Sequence, residues 1–107
     1  MQDIRWSTSE KKIARTVFEA ALSRELGEAL AELKSRAASA VNPEDMWSIR
    51  EYLERVQREI DEKYDYRYSQ LLAVFGRLLW EGRITEAELS GLSEEKLDYV
   101  RRFASLG

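Results

Sequence analysis

Residues Asp45–Gly82, DMWSIREYLERVQREIDEKYDYRYSQLLAVFGRLLWEG, decide the fold. The stretch has no Pro and no Gly before Gly76. Met46, Ile49, Leu53, Val56 and Ile60 recur at alternating steps of three and four, a coiled-coil-like seam of about two heptads. Trp47, Arg50, Glu51, Glu54, Gln57, Arg58 and Asp61 populate the flanks. The pattern predicts a long helix that needs a partner, with the seam as a homodimer interface. The stripe loses phase between Asp65 and Ser69, where Tyr64, Tyr66 and Tyr68 alternate with Asp65 and Arg67, so a break is predicted there. Leu71, Leu72, Val74, Phe75, Leu78 and Leu79 then cover nearly every side of the next helix, which predicts burial on most faces. Gly82 is a natural left-handed stop.

Working outward, Ser7 and Glu10 have the spacing of a capping box. They open a helix predicted to run to about Ala38, with Ile13, Val17, Ala21, Leu22, Leu26, Leu30, Leu33 and Ala37 as its stripe. Gly27 lies inside that helix at a cost of about 1 kcal/mol relative to Ala, which close helix packing or simple tolerance would explain. Asn42-Pro43 supplies the start of the helix that carries the seam. Thr85 and Glu88 form a second capping box opening a short helix that ends near Gly91. Ser93 opens the last helix, with Leu97, Val100 and Phe103 on one face. No segment alternates as a strand does, so the chain is read as all-α.

The 107 residues suit one domain, 1–107, read as a helical stalk over 1–64 and a helical head over 65–107. Hydrophobic residues at 44% and charged residues at 35% suit a soluble, cytoplasmic helical protein. No apolar run approaches the roughly 18–20 residues of a membrane span, and the start, MQDIRWSTSEKK, lacks the apolar core of a leader peptide. Membrane insertion is therefore not expected. A net charge of −3 argues against nucleic-acid binding, which leans on phosphate neutralisation. The cations are twelve Arg and five Lys; a GC-rich genome or an interface that uses planar bidentate contacts would each produce that bias.

The chain has no Cys and no His, which removes disulfides, thiolate chemistry, the commonest general base and the commonest transition-metal ligand. Glu59, Asp61, Glu62 and Asp65 would do acid–base work only if burial raised a pKa. Interleaved with Arg58, Lys63 and Arg67, they read as a solvated, ion-paired face. No metal site and no cofactor are expected. Tyr64, Tyr66 and Tyr68 suit a helix junction better than base stacking. Trp6 and Trp80 have no partner assignable from sequence. Trp47 is either a core or dimer-core residue or an exposed anchor with a charged rim of Arg50, Glu51 and Glu54.

Asp45, Trp47, Leu53, Glu59-Ile60-Asp61, Lys63-Tyr64-Asp65, Arg67, Ser69, Val74-Phe75, Leu78-Leu79 and Glu81-Gly82 keep a gapless spacing that resembles the cyanobacterial fluorescence recovery protein family. Weaker matches fall at Arg24-Glu25-Leu26 and Glu88-Leu89. The resemblance implies an all-helical, elongated dimer built from long helices, with a small helical head. It also implies a non-enzymatic regulator that binds the photoactivated orange carotenoid protein, detaches it from the phycobilisome and speeds its return to the resting form. It places Trp47 and Glu51 in the functional region near the dimer contact. Three positions depart from the family pattern: a functional Arg falls on Gln57, with Arg58 next door; a His falls on Arg50; and a head aromatic falls on Ala73.

The expected partner-binding set is Trp47, Arg50, Glu51, Glu54, Gln57 and Arg58. The expected dimer interface is Met46, Ile49, Leu53, Val56 and Ile60. Two alternatives differ in class. One is a helical dimeric adaptor for another protein. The other is a small all-α enzyme of chorismate-mutase type, with Arg24, Arg50, Arg58 and Lys63 holding a dianion.

Overall fold

A computed structural model of the chain describes residues 5–107. Met1–Ile4, on which part of the leader-peptide reading rests, lie outside the described residues. The elements are α1 (Thr8–Ser39), α2 (Pro43–Lys63), α3 (Leu71–Trp80), a 3-10 turn (Glu86–Leu89) and α4 (Glu94–Leu106). The described residues form no strand, only an isolated bridge between Ser90 and Leu92. The chain is therefore all-α, as the periodicity predicts.

The start and stop signals act where the sequence puts them. The Ser7 N–H donates to Glu10 Oε1 at 3.0 Å, and the Glu10 N–H donates to Ser7 Oγ at 3.1 Å. α2 begins on Pro43 and ends on Lys63, and Tyr64–Arg67 are non-helical, which is the predicted break. Gly82, at φ +75°, turns the chain beyond α3. Thr85 Oγ1 accepts from the Glu88 N–H and the Ser93 hydroxyl from the Lys96 N–H. The short helix after Thr85 is a single 3-10 turn that ends before Gly91, itself at φ +104°.

The residues group into two compact units, the first formed by α1 up to Ala21 together with Asp65–Gly107, the second by Leu22–Tyr64. The division cuts α1, where the stalk-and-head reading keeps all of 1–64 together. In the first unit Ala14, Val17, Phe18 and Ala21 are buried along with most of α3 and with Ile84, Leu89, Leu92 and Val100. α3 is buried nearly all round, as its composition predicts: Leu71, Leu72, Val74, Phe75, Gly76 and Leu78 are all covered. It packs closely on α4 at Gly76, where an added Cβ would lie 2.3 Å from Phe103 Cβ.

The second unit has much less of a core. Glu25 meets Lys63 and Arg36 meets Tyr52, so α2 runs back antiparallel along the end of α1. Only Tyr52 and Lys63 of α2 are buried. Gly27 has nothing within 4 Å of an added Cβ, so close packing within the described chain does not explain it.

Candidate protein-interaction surface

The start of α2 is pinned by Asp45, whose carboxylate accepts from the Val41 and Asn42 N–H groups at 2.7 and 2.9 Å. Those two donors hold its carboxyl below the ordinary aspartate range. One step further on, Trp47 projects with 59% of its surface exposed. Met46 beside it in sequence and Val41 just before α2 are exposed too. Arg50 Nε donates to Glu54 Oε1 at 2.8 Å along the same helix. Glu51, Gln57 and Arg58 are exposed. All six expected partner-contact residues are therefore on the solvent side of α2, with Trp47 an exposed aromatic and not a core residue of the single chain.

The seam behaves differently along its length. Ile49, Val56 and Ile60 are half-buried, whereas Met46 and Leu53 stay exposed at 56% and 40%. Leu53, Val56 and Ile60 of α2 line one open groove with Leu26, Leu30 and Leu33 of α1. Leu26 and Leu30 are each about half exposed. Gln57 and Asp61 line the same groove and are its polar members. A chain with a net charge of −3 thus carries an apolar trough that the described residues do not fill.

The cations of the enzymatic alternative are not all free to act. Lys63 Nζ donates to Glu25 Oε2 at 2.7 Å and is buried there. Arg50 is engaged by Glu54. Among the carboxylates, Glu59, Asp61 and Glu62 are exposed. Asp65 is held by Arg67, which keeps its carboxyl below the ordinary range. The described residues include no cluster of three or more His, Cys, Asp or Glu placed to hold a metal.

Three arrangements escaped the sequence reading. Tyr52 is the one apolar residue of α2 that is buried; the Arg36 guanidinium lies 4.2 Å from its ring centre and that of Arg55 5.6 Å. The spacing Ile49, Tyr52, Val56, Ile60 would have shown a second stripe tilted from the seam. Glu25 accepts from both Lys63 and the Tyr64 hydroxyl, the latter at 2.8 Å. Both ends of that cluster lie in segments singled out above, Arg24-Glu25-Leu26 and Lys63-Tyr64-Asp65, yet no local signal joins them. Glu10 also accepts from the Ser93 N–H at 2.9 Å and from Lys96 Nζ at 3.2 Å. Burial works against its charge, but the Ser7 and Ser93 N–H groups and Lys96 outweigh that and hold the carboxyl below the ordinary range.

Tyr66 and Tyr68 pack on other aromatic rings at the break between α2 and α3, as a helix junction predicts. Tyr66 meets the ring of Phe18 edge-on at 4.8 Å, and Tyr68 lies 5.6 Å from Trp6. Trp6 thus has a partner, whereas Trp80 is 58% exposed. No helix of the described residues is long and apolar enough to cross a membrane.

Comparison with known proteins bears on this surface. Residues 6–104 match the family model described as photoprotection regulator fluorescence recovery protein. The chain is 35% identical over 101 residues to the fluorescence recovery protein of Synechocystis sp. PCC 6803, a match covering 94% of this chain and 93% of that one. The solved fluorescence recovery protein of Fremyella diplosiphon superposes with a TM-score of 0.89 at 33% identity, over 94% of this chain and 99% of that one. The solved Synechocystis protein gives the same score and coverage at 34% identity.

Proposed function

Since the chain belongs to the fluorescence recovery protein family of photoprotection regulators, we propose that it binds the photoactivated orange carotenoid protein and accelerates its return to the resting state. It does so as a cytoplasmic, non-enzymatic homodimer, with no cofactor. The observation that carries the proposal is the exposed α2 face: Trp47 as an aromatic anchor, with Arg50, Glu51, Glu54, Gln57 and Arg58 as a polar rim. The apolar groove supports the dimer, because a second copy seated there would cover Leu53, Leu26 and Leu30.

A regulator of this kind needs no bond chemistry. Each 1.4 kcal/mol of preference for one conformation of the partner shifts that equilibrium about tenfold. Faster relaxation further requires that the barrier state be held more tightly than the photoactivated state. Exposed Arg and Glu beside a Trp can rearrange their pairing as the partner changes shape.

The test mixes the chain with photoactivated carotenoid protein and follows the colour change in the dark. Recovery should be faster than with the carotenoid protein alone. Trp47→Ala should weaken the acceleration about tenfold or more, the size of an aromatic hot-spot loss, with helicity unchanged. An unchanged recovery rate at saturating chain rejects this activity and leaves an adaptor for a different protein.

A further inference from the structure

The first unit carries a second surface that the α2 contact does not use. Between Arg5 and Phe18 lie four cations, Arg5, Lys11, Lys12 and Arg15, all exposed, in a chain of net charge −3. The acid in that stretch, Glu10, is buried and already engaged by Lys96. Lys11 Nζ lies 5.3 Å from the centre of the Tyr68 ring, and the Arg15 guanidinium 4.4 Å from that of Tyr66. Arg15 also pairs with Glu19 on the open helix surface. Lys11 and Lys12 have no carboxylate partner among the described residues. Tyr68 is 39% exposed, yet Trp6 and Tyr66 pack against its ring and hold it in place.

We propose that this cation-flanked aromatic surface, with Lys11, Arg15 and Tyr68 at its centre, is a docking site for an acidic segment of a protein partner. Carboxylates would meet the exposed ammonium groups, and the fixed Tyr68 ring would bury the stems between them. A ring already immobilised loses little freedom on binding. Nucleic acid fits less well, because affinity for a duplex is built from a long row of phosphate contacts and this surface offers only a local group of cations, Arg5, Lys11, Lys12 and Arg15. An anionic membrane fits less well too, because the helix side chains set against the tyrosines, Lys11 and Arg15, are charged and offer nothing apolar to insert.

The experiment titrates the full chain into a fluorescently labelled oligoglutamate peptide and reads anisotropy, with anionic lipid vesicles and a DNA duplex as parallel probes. The peptide should bind, and binding should weaken as salt is raised. Lys11→Glu with Arg15→Glu should weaken it about tenfold or more, a reversal of charge at two contacts. Lys11→Ala, a milder change on an exposed turn, should shift it in the same direction by about threefold. Tyr68→Leu should also weaken it, at constant charge. Trp47→Ala, on the other unit, should leave peptide binding unchanged, which separates this site from the carotenoid-protein reading. No peptide binding, binding undiminished by the charge reversal, or capture of vesicles or DNA in preference to the peptide would overturn the proposal.

Discussion

At the scale of the residue, single positions hold features that size and charge make hard to replace. Gly76 lets α3 approach α4; a methyl there would meet Phe103 Cβ at 2.3 Å and the Ala104 nitrogen and Val100 oxygen at 3.0 Å. Gly76→Ala gains helix propensity but overpacks the contact, and should cost about 1–3 kcal/mol net. A thermal melt should show a midpoint several degrees lower; an unchanged midpoint would mean that α4 yields at no cost. Lys63 is the second case. Lys63→Met takes away the buried ammonium that the Glu25 carboxylate accepts from, and should cost about 3 kcal/mol. Adding Glu25→Leu should recover much of that loss, since an apolar pair needs no compensation. Urea titrations of the single and double variants decide this. If the double variant is as unstable as Lys63→Met alone, packing and not charge governs the site.

At the scale of the element, one carboxylate ties the starts of two helices together. Glu10 closes the cap of α1 through Ser7, and its other oxygen accepts from Ser93, the cap of α4. Its folded pKa is depressed below the unfolded value of about 4.3. The stabilisation is therefore complete above that unfolded value and is lost as pH falls through the folded one. Asp45 and Asp65 are shifted in the same direction, so they contribute with the same sign. Urea midpoints should hold steady from neutral pH to about pH 5 and drop below about pH 4. Glu10→Gln should start from a lower midpoint and fall less steeply in acid. An acid limb identical to that of the parent would show that Glu10 is not the linking group. The Ser7–Glu10 half of this device is visible as a local four-residue pattern. The Ser93–Lys96 half is 83 to 86 residues away in sequence and leaves no local trace.

At the scale of the whole molecule, the proposed dimer would close over the open groove between the end of α1 and α2. Leu53→Glu would place a carboxylate among Leu26, Leu30 and Val56 and remove roughly 1.5–3 kcal/mol of burial on each chain, before any charge penalty. Light scattering should report a monomer for this variant and a dimer for the parent; a variant that stays dimeric would show that the groove is not the contact. The helices, their caps, the break after Lys63 and the enclosure of α3 were legible in the chain alone, because each depends on neighbours within one or two turns. Spacing also placed Leu53 and Val56 on one stripe and Trp47 on its flank, but left Trp47 open between core and surface. What spacing could not show was that Tyr52 turns inward while Met46 and Leu53 remain open, or that α1 shares its first half with α3 and α4. Nor could it pair Glu25 with Lys63 or Glu10 with Lys96. Local periodicity says which residues share a face. Which face is covered, and which buried charge finds its counter-charge, depends on groups distant in sequence that only the folded chain brings within hydrogen-bond reach.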